Sequence, residues 1–381
     1  ESVPYDSQEE IYMDFFARLD SSYQTLSNNT GGSAFGSSDL VYSGDVQQWM
    51  RFGNSLQLRA AMRIRHVMPE KAREEAEEAV SRGVMTSNGH NAELLTTQNN
   101  RNAYGIITNW GEFRMSSSME SLLEGYNDPR KSAYFNPSAN GDEDGDGSPF
   151  EGMRNGLPRS AKGTELNGAY SDMATRFLNE NRGGSNPPVG VMNAAEVYFL
   201  RAEGALLGWD MGGSAEELYN EGIRMSLSEA RVGASQQEIE EYINSTATPA
   251  SPSDQWNSGP MSDIPVDFQS GADMETKLEQ IITQKWLALY PVSLEAFAEL
   301  RRTGYPVLYP IIDSRNPNLD NDDIFRRMTF VISEFNNNTQ ATENAIPLIG
   351  SPEGNGGPDQ NGTKVWWDVR DAPANQGLGQ P

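Results

Sequence analysis

The chain is 381 residues long and strongly acidic, with 54 aspartates and glutamates against 29 lysines and arginines, and a net charge of −25 at pH 7. A nucleic-acid partner is not expected, because binding to phosphates depends on clustered cationic side chains. No segment approaches the roughly 18 consecutive apolar residues that a membrane-spanning helix needs. Cysteine is absent, so no disulfide holds the fold and no thiol does chemistry.

The first part of the chain has the pattern of three amphipathic helices. Apolar residues at helical spacing predict a first helix over 7–26. A second apolar stripe over 49–67 predicts a helix that Pro69 ends. Pro69 also starts an alanine-rich helix over 70–81, which Gly83 closes. The second and third helices are expected to form an αα-hairpin.

Helical periodicity is lost between residues 86 and 190, apart from a short helix predicted over 116–125. So long an irregular stretch inside a compact domain is unusual unless the loops have a function. We therefore predict that residues 84–191 are a loop-rich excursion that faces the ligand.

Helical periodicity returns after residue 190. Asn193, Ser214 and Ser235 are each followed by a glutamate three residues later, and this capping-box pattern predicts three helix starts. The first two of these helices present small residues against bulky ones, which is typical of tetratricopeptide-like packing. The remaining expectations are a hairpin of 273–290 with 293–302, a short strand at 328–332 and an extended tail at 363–371.

These elements predict an all-α fold in which tetratricopeptide-like helical hairpins form a curved scaffold, with large irregular loops and little strand. The scaffold is expected over about 1–83, 192–245 and 272–304 of a single domain that spans 1–381. The first helix has no hairpin partner, so we expect its partner upstream of Glu1. The chain begins in mid-pattern without a signal peptide and is interpreted as a mature, trimmed or truncated form.

Several motifs, spread over nearly all of the chain, make it resemble the SusD-like (SusD/RagB) family of outer-membrane nutrient-binding lipoproteins. The motifs are Gly44-Asp45-x-x-x-Trp49-x-x-Phe52-x-Asn54-Ser-Leu-x-Leu-Arg59, Asp128-Pro-Arg130, Ala195-Glu-Val197 with Ala202-Glu203, Gln284-Lys-Trp286, Arg301-Arg-Thr-Gly-Tyr-Pro306 and Trp366-Trp367-Asp368.

The resemblance implies a scaffold of tetratricopeptide-like helix pairs whose large loops present a ligand site. It also implies an outer-membrane location on the extracellular face, through a lipid anchor on an N-terminal cysteine. The implied partner is a TonB-dependent (SusC-like) outer-membrane transporter, over which the protein lies as a lid. The anchoring cysteine and the first helices of the family pattern are missing from this chain, so membrane contact is expected only through an anchor that it lacks.

An acidic stretch fits the spacing of a calcium-binding loop, in which oxygen ligands and one tight glycine turn surround a hard cation. Gly147 replaces the usual apolar residue at position 8, and no predicted helices flank the loop. A solvated acidic turn is the alternative interpretation. The candidate ligands are Asn140, Asp142, Asp144, Asp146 and Glu151.

Aromatic residues outside the main helices are the candidate sugar-binding platforms. The C–H face of a pyranose stacks on an aromatic ring, while nearby amides and arginines bind the hydroxyls. Each ring could instead be folded onto the scaffold. Trp110 and Trp256 are the strongest candidates because they are bulky and lie in polar, turn-rich sequence. The full set is Tyr104, Trp110, Tyr134, Tyr170 and Trp256.

Four arginines lie at predicted helix edges and are expected to bridge carboxylates or to cap the carbonyls of neighbouring helices rather than to bind ligand. They are Arg59, Arg63, Arg301 and Arg302.

The chain has only two histidines, His66 and His90, in unrelated contexts, so a zinc site or a serine–histidine–aspartate triad is not expected.

The resulting hypothesis is a non-enzymatic, cell-surface protein that captures an oligosaccharide and delivers it to the transporter, without a cofactor apart from the calcium candidate. A glycoside hydrolase is the first alternative, although nothing in the sequence selects the pair of carboxylates that it needs. A structural transporter lid without its own glycan site is the second. The identity of the ligand, glycan or peptide, stays open at the level of sequence.

Overall fold

The structure is a computed structural model that describes residues 2–33, 35–108, 110–111, 113–143, 145–158, 166–177, 186–252, 254–350 and 357–370. Its architecture is helical, with one small two-stranded sheet in the described part of the chain. Within those residues, no helix combines the length and apolar character needed to cross a membrane. The prediction of an all-α fold is confirmed.

The helices that precede residue 190 include three long ones and several short ones. The long helices are α1 Gln8–Ser27, α2 Val46–Ile64 and α3 Pro69–Arg82. The shorter ones are α4 Ala103–Thr108, α5 Ser117–Gly125, α6 Lys131–Tyr134 and α7 Leu166–Ala169.

The helices after residue 190 supply the rest of the scaffold. They are α8 Ala194–Leu206, α9 Ala215–Leu227, α10 Gln236–Ile243, α11 Met274–Leu289, α12 Ser293–Thr303, α13 Ile332–Asn337 and α14 Thr339–Ala345. The predicted bounds of the long helices agree with these to within about three residues, the largest difference being at both ends of α2.

Side-chain caps explain where several helices begin. Ser214 and Ser235 form complete capping boxes, in which the serine hydroxyl and the glutamate three residues later each accept a backbone amide. Asn193 caps α8 by accepting the amide of Glu196 at 2.8 Å. The Glu196 carboxylate does not complete the box, because it is bound by Arg59 of α2.

Consecutive helices pack as hairpins, α2 with α3, α8 with α9 and α11 with α12, and α8 also packs against α2 and α11. The α8–α9 contact requires a residue without a side chain, because a Cβ on Gly222 would lie 2.8 Å from the Phe199 ring. Helix α1 packs along α2. Buried residues from these helices form one hydrophobic cluster, which includes Leu58, Phe199 and Ile281.

The excursion before residue 190 is more ordered than its sequence indicated. Strands β1 (Ala92–Leu94) and β2 (Val189–Met192) pair antiparallel and bring its two ends together. The predicted strand at 328–332 is wrong, because residues 328–331 are irregular and Ile332 starts α13. The tail is not simply extended, since a turn at 366–367 buries Trp366 and Trp367; Asp371 lies outside the described residues.

A buried ionic cluster joins helices α2, α8, α11 and α12. Both carboxylate oxygens of Glu203 accept bonds of 2.6 Å from Arg302, and the Glu299 carboxylate lies 2.5 Å from the same guanidinium. Burial raises the pKa of Glu299, but the charges of Arg302 and Lys285 lower it by more than burial raises it. Its pKa therefore lies well below the usual value. The members of the cluster are Arg59, Arg63, Arg65, Glu196, Glu203, Lys285, Glu295, Glu299 and Arg302.

The cluster confirms the expected role of three of the four helix-edge arginines, which bind carboxylates. Arg59 binds Glu196 through two bonds of 2.6 Å, and Arg63 binds Glu295 at 2.5 Å. Arg301 differs, because it donates to the backbone carbonyl of Arg326 at 2.6 Å and stacks over the Trp367 ring.

Candidate functional site

The candidate ligand surface is centred on Trp256, in the loop between α10 and α11. The guanidinium of Arg154 lies over two rings, 5.7 Å from the centroid of Trp256 and 4.8 Å from that of Tyr309. Trp256 is half-buried, and the Arg154 guanidinium lies on one side of its ring. This arrangement fixes the orientation of an accessible indole ring.

Asp254 and Ser258 hold Arg154 in place. The Arg154 guanidinium donates to Asp254 at 2.8 Å and to the carbonyl of Pro310 at 2.9 Å, and it also binds the Ser258 hydroxyl. Burial raises the pKa of Asp254, but hydrogen bonds from Ser258 and Arg154 outweigh burial and leave its pKa below the usual value. Asp254 also accepts the amide of Trp256 at 3.0 Å, so one carboxylate orients both the loop and the arginine.

Tyr170 belongs to the same loop surface. The next residue, Ser171, donates its amide to the Glu151 carbonyl at 2.9 Å. Glu151 is three residues before Arg154 in the chain. Burial raises the pKa of the half-buried Tyr170 hydroxyl, and the carboxylates of Glu120, Glu151 and Asp254 raise it further. The structure thus brings two of the predicted residues, Tyr170 and Trp256, to one region around Arg154.

Tyr104 lies elsewhere, in α4, between two neighbouring cavities. Its hydroxyl donates to the Pro291 carbonyl at 2.7 Å. On one side is an apolar cavity of about 480 Å³, lined by residues that include Phe113, Met119, Trp286 and Phe297. On the other side is a polar cavity of about 620 Å³, whose polar lining includes Asn88, Glu93, Asn102, Arg176, Glu229 and Arg231.

Trp110 lies just after α4 and is the most accessible of the predicted rings, with 66% of its surface exposed. Its amide donates to the Ile107 carbonyl at 3.3 Å, which continues the helical turn. Exposed Ile106 and Phe113 accompany it on this segment. Its role as a sugar platform stays a prediction.

Tyr134 is a correction to the sequence-based candidates. Its side chain has no exposed surface, and its hydroxyl donates to the Leu287 carbonyl at 3.0 Å. Helix α6 places the ring beneath α11, where it packs 4.6 Å from the Tyr290 ring. A fully buried ring cannot stack on a sugar, so Tyr134 belongs to the core and not to the site.

The predicted calcium loop is partly described, because Asp144 lies outside the described residues. The Asp142 carboxylate accepts the backbone amides of Gly145 and Gly147, at 2.6 and 3.0 Å. The Asp146 carboxylate accepts the amide of Ser148, two residues later, at 2.7 Å, and this bond also stabilises a local turn. The described residues contain no group of three or more acidic, histidine or cysteine side chains placed to hold a metal. Calcium binding by Asn140, Glu151 and the three aspartates stays a prediction.

Neither histidine is placed for chemistry. Burial lowers the pKa of His66 to about 3, with Arg65 and Arg302 adding to the effect, so its ring is neutral at physiological pH. His90 accepts the amide of Thr86 through Nδ1 at 3.1 Å.

Sequence reasoning missed Arg154 and Asp254, although it selected Trp256. The Asp254-x-Trp256 spacing is a local turn signal that was available, since aspartate commonly accepts the amide two residues on. Arg154 had no such signal. It is a single arginine in an irregular stretch, and its partners come from two distant loops.

Together, the helical hairpins and a loop surface with an ordered tryptophan define a scaffold of the kind that holds a ligand between its loops. The model of the SusD-like family, Susd and RagB outer membrane lipoproteins, matches residues 1–368, so the chain belongs to this family. That membership places it among outer membrane proteins. No curated protein matches the chain.

Solved structures agree with the family assignment. A chitin-binding SusD homologue from Flavobacterium johnsoniae is 36% identical with a TM-score of 0.86, and the match covers 97% of this chain and 74% of that chain. A SusD homologue from Bacteroides thetaiotaomicron is 34% identical with a TM-score of 0.85, over 97% of this chain and 76% of that chain. A homologue from Bacteroides uniformis is 35% identical with a TM-score of 0.84, over 97% and 74%.

Proposed function

We propose that the protein is a non-enzymatic glycan-binding protein of the outer membrane, which captures an oligosaccharide on its extracellular face and delivers it to a TonB-dependent transporter. The observation that carries the proposal is the half-exposed ring of Trp256, held by Arg154 and Asp254. Family membership and the similarity to a chitin-binding homologue support the same class of ligand.

The proposed recognition combines stacking with hydrogen bonds. Trp256 offers a ring face for a pyranose, and Tyr170 offers a second ring with a hydroxyl on the same loop surface. Because Arg154 and Asp254 fix the indole before ligand arrives, little side-chain freedom is lost on binding. Trp110, on the exposed turn after α4, is proposed as a further contact for a longer chain, while Tyr104 lines cavities that Trp256 does not reach.

Hydrolysis is the less well supported alternative. A glycosidase needs two carboxylates on either side of the scissile bond, one of them free to donate a proton. The carboxylates around Tyr170 are engaged instead, since Glu120 accepts the Gly152 amide at 3.0 Å and Glu151 accepts the Glu143 amide at 2.8 Å. The protein should therefore be retained on an affinity gel that contains chitin, and incubation with chitin oligosaccharides should release no new reducing ends.

The direct test is calorimetric titration of chitin oligosaccharides into the wild type and into Trp256→Ala. We expect affinity to fall about tenfold, or about 1.4 kcal/mol, because a stacking platform is lost. The matched control is Trp256→Phe, which keeps a ring and should retain most of the affinity, and both variants should unfold at the wild-type temperature.

Three outcomes separate the alternatives. Unchanged affinity in both Trp256→Ala and Trp110→Ala would discard this surface as the site. Release of new reducing ends would favour the hydrolase. Failure to bind any glycan, together with co-purification of the transporter, would favour a structural lid.

A further inference from the structure

The polar cavity on the second side of Tyr104 is separate from the Trp256 surface. The ends of β1 and β2, the start of α8 and the segment that follows α9 enclose it, and none of Arg154, Tyr170 or Trp256 lines it. Its volume of about 620 Å³ lies within the range of roughly 300–1,000 Å³ that small-molecule sites occupy. It therefore has the room for a ligand of its own.

Part of the wall of this cavity is fixed by hydrogen bonds within the protein. The Asn102 amide donates to the carbonyls of Pro187 and Pro188, at 3.1 and 3.2 Å. Asn91 accepts the amide of Ala194 at 2.8 Å, which secures the start of α8. A preformed wall of this kind costs little ordering when a ligand binds.

Two buried acceptor oxygens on one wall have no hydrogen-bond partner. Glu229 is only 6% exposed; Arg231 binds its Oε2, while its Oε1 is unpartnered. Asn88 donates to the Ser228 hydroxyl at 3.1 Å, and its Oδ1 is also unpartnered. A buried acceptor without a partner is unfavourable, because its hydrogen bond to water has been lost and not replaced. Glu229 and Asn88 both line the cavity, but the two oxygens themselves have almost no accessible surface, so a small rotation of either side chain is needed before a ligand can donate a hydrogen bond to it.

The charges of the described lining residues balance. Glu93 and Glu229 are matched by Arg176 and Arg231. The third carboxylate, Glu196, is bound through both oxygens by Arg59, which does not line the cavity. A neutral ligand fits this balance better than an anion or a cation. Hydroxyl groups also suit a wall that needs donors near guanidinium groups that need acceptors.

Apolar surface completes the description of the ligand. The rings of Tyr104 and Phe177 and the side chains of Pro187, Pro188 and Pro291 line the same cavity. A few convergent polar groups among aromatic and aliphatic walls are typical of sites for sugars. We propose that this cavity is a second binding site, for a neutral, hydroxyl-rich ligand of the size of a disaccharide.

This second site is independent of the Trp256 surface, and Ala230 provides the means to separate them. Ala230 lines the cavity and is exposed, so a large side chain there fills the space without entering the core. Saturation-transfer NMR with cellobiose and N,N′-diacetylchitobiose measures binding to the wild type, Ala230→Trp and Trp256→Ala. Ala230→Ser is the matched control.

We expect each of the two variants to lose part of the saturation-transfer signal and the double variant to lose all of it, while Ala230→Ser retains the wild-type signal. Glu229→Gln keeps the size of the side chain, and we expect it to weaken binding severalfold without filling the cavity. It provides a second test if Ala230→Trp does not fold.

A wild-type signal in both Ala230→Trp and Glu229→Gln would overturn the second site, as would a wild-type chain that binds neither disaccharide. Complete loss of the saturation-transfer signal in Trp256→Ala, with a wild-type signal in Ala230→Trp, would contradict the second site and leave the proposed function standing. Complete loss in Ala230→Trp alone would support the cavity and count against the Trp256 surface.

Discussion

The ionic cluster and the Trp256 surface both depend on an arginine held by carboxylates, but they use it differently. Arg302 is fully buried; Glu299 lies one turn before it on α12, and Glu203 lies on α8, so the interaction with Glu203 joins two helices. Arg154 is also buried, yet it orients a ring that is half-exposed. The first arrangement fixes the framework, and the second prepares a surface for contact.

The largest expected effect on stability comes from Arg302→Met. This change removes the guanidinium that neutralises the buried carboxylates of Glu203 and Glu299. Breaking a buried ion pair in this way should lower the free energy of unfolding by about 3–5 kcal/mol. Urea denaturation measures it. The matched control is Arg315→Met, since Arg315 pairs with Asp313 on an exposed surface and should change stability by about 1 kcal/mol or less. Equal losses in both variants would contradict a structural role for the cluster.

A smaller effect is expected from the titration of Glu299. Its pKa is lower in the folded state than in the unfolded chain, so its stabilising contribution is full above the unfolded pKa and is lost as pH falls through the folded pKa. Thermal stability of the wild type should therefore decrease from pH 5 towards pH 3. Glu299→Gln removes this titrating group and should flatten the dependence. Parallel curves for the two proteins would contradict the assignment.

The smallest effect is expected at the loop surface, where Asp254→Asn keeps the shape of the side chain but removes the charge that holds Arg154. Glycan affinity should fall about fivefold, or about 1 kcal/mol, because the Trp256 ring becomes less well ordered. Calorimetric titration measures the change. Asp14→Asn is the control, as its exposed pair with Arg18 lies on helix α1 and should leave affinity unchanged. A loss of affinity as large in the control would remove the special role of Asp254.

The framework could be predicted from sequence because its signals are local or lie in the family motifs. Helix bounds follow from capping residues and apolar spacing. Several polar residues of the motifs belong to the buried ionic cluster, namely Arg59, Glu196, Glu203, Lys285 and Arg302. The motifs that reveal the family therefore describe how its helices are held together, and not what it binds.

The candidate site could be predicted only in part, because its contacts join distant loops. The polar sequence around Trp256 predicts an accessible ring. Its contact with Arg154 could not be predicted, because the two residues are about a hundred positions apart and no local sequence pattern links them. Tyr134 was misassigned for the related reason that a one-turn helix, α6, carries it beneath α11. The β1–β2 pair was also missed, since strands of three and four residues are too short to show alternation.

Hydrogen–deuterium exchange with and without a bound chitin oligosaccharide tests most directly whether the loops, and not the helices, contact the ligand. We predict that protection on binding is largest in the peptides that contain Arg154, Tyr170 and Trp256. Helices α2, α8, α11 and α12 should exchange as they do without ligand, because the ionic cluster already fixes them. Protection confined to those helices, with the three loop peptides unchanged, would contradict the account.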